Sequence, residues 1–282
     1  ANTLRRVLTG PAYDYIIPLT TPPLLPLVGA IARRVRGQAY GIWSMDLHPD
    51  AEVAAGMFAE DGLPARMLHA LNDAGYRHAD FVVDLGTYMK RRRRDKGVAG
   101  DQLHTIPVWN RKNDVTPLPH DDNPLRAELS LEGKFVVMYS GNAGVAHRFE
   151  EVLATMKRLD GHPDIEFVFV GEGPKKDRIQ AFADRHALSN FRYLPYFPRE
   201  DLEHSLPMAD VHLMTLREEM AGIAVPGKLY GIMAAGRPAL MVGPEASEPG
   251  ETIQISGAGR VVDPSQTDTP AQALHDTLLS LY

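Results

Sequence analysis

The 282-residue chain has no cysteine. That excludes a disulfide scaffold, a thiolate zinc site and a cysteine nucleophile, and it fits a reducing compartment. A basic excess is also lacking: 30 Lys and Arg stand against 36 Asp and Glu, for a net charge of -6. General nucleic-acid binders neutralise phosphates with such an excess, so the balance argues against nucleic acid as a partner. No apolar run approaches the roughly 20 residues that span a bilayer as a helix. The apolar stretch from Pro22 to Ile31 is too short and ends at Arg33, Arg34 and Arg36. What is present is an ordinary globular mixture, 44% hydrophobic and 23% charged, long enough for one large or two modest domains. The chain starts at Ala1 without methionine, on what reads as the tail of a helix around Leu4 to Leu8, and stops inside a helical pattern from Ala271 to Tyr282. The expectation is a natural protein that is longer at both ends.

Short β-branched or aromatic runs alternate with helical patterns, as in parallel sheets built from β-α-β units. The expected strands are Asp14–Leu19, Ala39–Ser44, Phe81–Leu85, His104–Pro107, Phe135–Ser140, Glu166–Gly171, Phe191–Leu194, Val211–Thr215, Ala239–Val242 and Gly259–Val262. Most are continuously apolar, which suits strands covered on both faces. Phe149–Leu159 and Lys175–Ala187 show helical periodicity, with Phe149, Val152, Leu153 and Met156 sharing one face of the first. The pattern breaks between Trp109 and Leu131, where Pro117, Pro119 and Pro124 mix with Asp114, Asp121 and Asp122. This predicts an N-terminal domain over 1–115, a linker over 116–130 and a C-terminal domain over 131–282. Residues 1–128 carry 16 basic against 15 acidic side chains and the remainder 14 against 21, so the halves sit near +1 and -7 and suit different partners.

Open α/β domains bind ligands outside the carboxyl ends of their strands, so the loops there carry the candidates. Gly141-Asn142-Ala143-Gly144 follows one strand and precedes a helix near His147, which offers a phosphate cradle or merely a tight turn. Gly171-Glu172-Gly173-Pro174 follows the next, where the glycines either leave room for a nucleoside or make an ordinary turn before a helix-starting proline. The stretch Val225-Pro226-Gly227-Lys228-Leu229-Tyr230-Gly231, running on through Ala234-Ala235-Gly236-Arg237-Pro238, says most. A lysine in a first helical turn opposes the helix dipole, and its place there makes sense if an anion binds.

These motifs, with Tyr139-Ser140-Gly141-Asn142, Leu194-Pro195-Tyr196-Phe197-Pro198-Arg199-Glu200-Asp201-Leu202 and Ala209-Asp210-Val211, occur in an order that resembles retaining glycosyltransferases of the α/β GT-B fold. The likeness is to the family 4-like enzymes of bacterial capsule, exopolysaccharide and O-antigen synthesis. It implies two Rossmann-like, doubly wound parallel-sheet domains facing a cleft, and a nucleotide diphosphate sugar, specifically a UDP-sugar, held without a bound metal or other cofactor. Carried over position by position, it places the base at Tyr196 and Phe197, Gly171 and Gly173 beside the nucleoside, and the diphosphate near Gly141, Asn142, Arg148, Gly227, Lys228 and Leu229. The family's paired glutamates fall here on Ile223 and Gly231, with Glu218 or Glu219 as substitutes for the first and Glu248 or Glu251 for the second. An arginine and a lysine common after the first C-terminal strand correspond to Asn142 and the His147-Arg148 pair. An epimerase of the same fold and a non-catalytic scaffold subunit remain the alternatives.

In the N-terminal half, Asp46 and His48 follow a strand and are the candidates to orient sugar hydroxyls, with helix capping by Asp46 as the plainer reading. The histidines are scattered, so no metal site is expected. The run Lys90-Arg91-Arg92-Arg93-Arg94-Asp95-Lys96 closes a helix and, with the apolar-then-basic Pro22–Arg36, suits an anionic membrane surface. The family's acceptors, glycans or polyprenyl-linked sugars, agree with a cytoplasmic protein peripheral to the inner membrane face.

Overall fold

The computed structural model describes residues 2–109 and 115–282, so the stretch 110–114 at the expected break, Asp114 included, lies outside the described residues. The chain divides into two compact units, Ala1–Val108 with Glu219–Val225 and Trp109–Glu218 with Pro226–Tyr282.

The first unit contains α1 (Asn2–Thr9), α2 (Leu25–Arg36), β1 (Ile42–Trp43), α3 (Asp50–Ala54), α4 (Leu63–Arg77), β2 (Val82–Asp84), α5 (Thr87–Asp95) and β3 (Leu103–Thr105). The strands pair in parallel in the order β1-β2-β3. The expected strand Asp14–Leu19 is reduced to two parallel bridges, Ile16 to Tyr40 and Leu19 to Trp43. Pro18, which has no N–H to give a ladder, lies between them. Tyr40, Ile42, Tyr76, Val82 and Leu103 form the core.

Helices α2 and α5 show which of the basic side chains expected at an anionic surface are taken up within the unit. Helix α2 buries Pro26, Gly29 and Ala32. At its basic end Arg33 pairs with Asp80 and Arg36 donates to the carbonyls of Val7 and Gly10, while Arg34 is exposed. In α5, Arg93 is fully buried 4.1 Å from the Tyr76 ring centroid, and Arg92 donates to the Ala221 carbonyl. Lys96, just beyond, grips the Asp50 carboxylate at 2.7 and 2.8 Å. Of Arg91–Arg94 only Arg91 and Arg94 are exposed, so the run is no continuous cationic stripe. The residues folded inward share a helix face with Met89, which the i, i+4 spacing already places together.

The second unit contains α6 (Pro124–Glu128), β4 (Phe135–Ser140), α7 (Glu150–Arg158), β5 (Ile165–Val170), α8 (Lys176–Arg185), β6 (Phe191–Leu194), α9 (Leu202–Ser205), β7 (Val211–Thr215), α10 (Lys228–Ala234), β8 (Ala239–Val242), α11 (Glu248–Ser256), β9 (Gly259–Val262) and α12 (Pro270–Leu281). All six strands are parallel, in the order β6-β5-β4-β7-β8-β9. Every residue of β5, β7 and β8 is buried, which is why these runs are largely apolar; the buried Glu166 of β5 pairs with Arg192 and His212 of β7 donates to the Leu206 carbonyl.

Residues 116–130 are not a free linker but part of this unit. Arg126 is 4% exposed and donates to the carbonyls of Met208 (2.7 Å), Leu131 (3.0 Å) and Lys134 (2.5 Å) and to the Asp210 carboxylate (3.1 Å). The Arg126→Met variant removes the buried cation that joins these acceptors, although Leu131 keeps the Lys134 amide and Asp210 the Val136 amide, and should lose about 3–5 kcal/mol in urea denaturation. A loss below about 1 kcal/mol would mean that the clamp is ornamental.

Candidate functional site

In the second unit the sheet grows from β4 toward β5 and β6 on one side and toward β7, β8 and β9 on the other. The carboxyl ends of β4 and β7 therefore frame the reversal point where open parallel sheets bind ligands. Lys228, the first residue of α10, reaches into this place. Its Nζ lies 3.8 Å from the Tyr139 ring centroid, and a Cβ added at Gly141 would lie 3.6 Å from it. The residue as a whole is half-buried, but the amine at its tip is sealed from solvent and has no hydrogen-bond partner among the described residues. Burial pushes its pKa from 10.5 down to about 7.

His147 closes the other side. Its Nδ1 donates to the Thr215 carbonyl at 2.7 Å, which ties the loop after β4 to the end of β7 and leaves Nε2 as the acceptor of a neutral ring. Burial first, then the charges of Lys228 and Lys175, push its pKa down to about 3. Tyr139 packs edge-on to that imidazole, and its hydroxyl donates to the Asn142 carbonyl at 3.0 Å, fixing the turn. Lys175 donates to the His147 carbonyl, and burial lowers its pKa with Glu150 opposing and Arg217 assisting. The sum is a cationic corner whose innermost amine is without a counter-ion. Sequence reasoning missed His147 as a wall, and Lys175 and Thr215 altogether, because the register of two loops brings them here rather than any motif.

The glycines serve loop packing as well as space. A Cβ on Gly171 (φ +137°) would fall inside the Gly141 carbonyl, 3.0 Å from its carbon and 3.1 Å from Cε1 of Tyr196. On Gly173 (φ +136°) it would lie 2.6 Å from the Ala143 nitrogen, and Ala143 donates to the Glu172 carbonyl at 2.7 Å. The loops after β4 and β5 thus touch backbone to backbone, which only glycine allows. Tyr196, about half exposed at 51%, lies beside Gly171, while Phe197 packs inward on the cluster around Val168 and Val170.

Other expected residues fare differently. Arg148 is turned away into a two-pronged pair with Glu151, one contact at 3.0 Å, and its charge also acts on Asp263; it is not a free phosphate ligand. The Leu229 amide donates to the Pro226 carbonyl at 3.4 Å and is thus already paired. Helix α10 has only seven residues, and its charge comes from Lys228 more than from a dipole. Glu219 belongs to the first unit. Glu248 starts α11 with 7% exposure and acts on Tyr230, next to Gly231, whereas Glu251 is exposed.

In the first unit, Asp46 forms an antiparallel bridge with Ala224, and the amides of Met45 and Asp46 donate to Thr20 Oγ1 at 3.0 and 3.1 Å. Burial raises the Asp46 pKa, with His48 opposing. It caps no helix: α3 starts at Asp50 without a side-chain cap. His48 is held by Glu52 at 2.7 Å through Nδ1, a partner visible in hindsight as an i, i+4 pair. Among the described residues no three His, Asp or Glu side chains are grouped to hold a metal ion, and no helix is long and apolar enough to cross a membrane. A cavity of about 660 Å³ between His120, Arg126, Asp164 and Asp210 lies at the amino ends of β4, β5 and β7, opposite the ligand-binding end of such sheets.

Comparison with known proteins bears on the family and the fold. The profile of glycosyl transferases group 1 matches residues 121–280. The chain is 29% identical over 246 residues to the glycosyltransferase WbjE of Pseudomonas aeruginosa, covering 87% of this chain and 61% of that protein. It is 27% identical over 242 residues to WcaI of Escherichia coli K12, named for colanic acid biosynthesis, covering 83% and 58%. The chain thus spans about six-tenths of the length of these relatives. Among solved structures, HepE of Anabaena in complex with UDP superposes with a TM-score of 0.76 at 15% identity, over 99% of this chain and 72% of that one. Sucrose-phosphate synthase of Thermosynechococcus elongatus superposes at 0.73 and 18% identity, over 100% and 67%. The fold is GT-B.

Proposed function

Because the chain belongs to the group 1 glycosyl transferases, we propose that it moves a sugar from a nucleoside diphosphate sugar to an acceptor hydroxyl, with the diphosphate held against Lys228. The observation that carries this reading is the sealed amine of Lys228, which has no counter-ion among the described residues at the reversal point of the sheet. A departing diphosphate develops negative charge as the bond from the sugar's anomeric carbon to the phosphate oxygen breaks, and a preplaced cation in a site closed to water stabilises it strongly. The acceptor oxygen then bonds to the anomeric carbon and gives its proton to solvent or a base. Asp46 and His48 orient the acceptor or the sugar hydroxyls.

We take the donor to be a UDP-sugar, supported by the binding of UDP and UDP-glucose by HepE, and the transfer to retain the anomeric configuration. The acceptor class is a glycan or a polyprenyl-linked sugar of cell-surface polysaccharide synthesis, the setting of WcaI. Thermal-shift titration with UDP, GDP, ADP, CMP and dTDP tests the donor. A hundredfold excess over the dissociation constant of the right nucleotide adds about 2.7 kcal/mol of stability. A shift with UDP alone is expected. No shift with any of the five overturns the transferase reading in favour of a scaffold.

A further inference from the structure

The amine of Lys228 presents a problem that its role as a diphosphate ligand does not solve. A charged ammonium sealed without a hydrogen bond is costly, since its lost hydration is replaced only by the face of one ring. The titratable groups set against it from the neighbouring elements, among the described residues, are neutral. From β4 comes Tyr139, whose phenol burial holds protonated. From the loop after β4 comes His147, and from the fully buried middle of β7 comes His212, each lowered first by burial and then by Lys228 itself. Lys175, from the loop after β5, acts on His147 and not on the amine itself. No carboxylate pairs with the amine among the described residues. The enclosure around Tyr139 is suited to an uncharged amine when the site is empty and to an ammonium only when an anion joins it.

We propose that the empty site keeps Lys228 as a free amine over Tyr139 and that arrival of a nucleoside diphosphate protonates it, so donor binding takes up one proton from solvent. This rests on the donor-site reading above and adds a regulation to it. The balance is simple: amine, solvent proton and diphosphate combine into an ammonium–diphosphate pair, and departure of the spent nucleotide returns the proton. Tyr139 is then a positioning residue, since its ring walls in the amine and its hydroxyl holds the Asn142 turn. The empty site avoids a buried charge, and affinity for the donor falls as pH rises.

Calorimetric titration of the full chain with UDP at pH 8, in buffers of different ionisation heat, reads the proton count. The terminal phosphate of UDP is already ionised there, its second pKa lying near 6. The expected uptake is close to one proton, and the dissociation constant should rise about eightfold from pH 7.5 to 8.5, because the empty-site amine titrates near 7. Lys228→Arg, charged at every pH used, should abolish the uptake. UDP binding with no buffer-dependent heat and a flat affinity over that range overturns the proposal while sparing the donor site. Uptake that persists in Lys228→Arg also overturns it and assigns the proton to His147. No binding of UDP by the parent contradicts the donor-site reading and the proposal with it.

Discussion

Lys228→Met should weaken nucleotide binding and slow transfer about 10²–10³-fold while leaving the protein more stable than its parent. Methionine matches the length of the lysine stem and fills the space over the Tyr139 ring, where thioether sulfur packs well on aromatics. Removing an amine that has no hydrogen-bond partner removes a desolvation penalty and breaks no pair, so unfolding free energy should rise by about 1 kcal/mol or more. The sign with pH follows from linkage. The folded-state pKa lies near 7, below its ordinary 10.5, so between those values the unfolded chain binds more protons and the penalty shrinks as pH rises. The gain from Met is therefore largest at pH 7 and below and fades toward pH 10. On the functional side, losing a cation aimed at developing charge costs about 10²–10³ in rate. Paired denaturation and transfer assays check both halves. A variant that is slowed and also destabilised would mean that Lys228 serves the fold and not the ligand.

The second large effect is on the fold of the site. Gly171→Ala should cost about 3 kcal/mol or more. At φ +137° the new Cβ meets the Gly141 carbonyl, a backbone atom that moves only if β4 and β5, paired in register up to Ser140 and Val170, move with it. Gly257→Ala is the matched comparison: its φ is +64° with open space around the added carbon, and the expected cost is about 1–2 kcal/mol. Chemical denaturation of both variants gives the difference. Equal losses at the two positions would show that the close approach of the loops after β4 and β5 is not tight.

The second unit was the more legible in sequence. Its central strands are largely apolar because both faces are covered, and Phe135–Ser140 and Val211–Thr215 stand where the sequence pattern places them. The first unit was harder. Its strands shrink to two or three residues, and Pro18 breaks the edge segment, so propensity overstated their length. The arginine run was legible only in part. Composition counts charges but does not show which helix face is inward, and Arg93 is fully buried over Tyr76. At the site, Lys228 was visible because a cation at a helix start contradicts the dipole. Arg148 was drawn in by its neighbourhood in sequence, yet an acid three residues on, Glu151, takes it. Lys175, His147 and Thr215 meet through tertiary packing, for which one sequence carries no spacing signal.

A crystal structure of the full chain with UDP tests the role of Lys228 most directly. The diphosphate is expected at the carboxyl ends of β4 and β7, with an oxygen in hydrogen-bond reach of Lys228 Nζ and of the Gly227 or Lys228 amide, and the uracil beside Tyr196 and Gly171. UDP bound elsewhere on the molecule, with Lys228 still facing the Tyr139 ring and touching no phosphate, would contradict it.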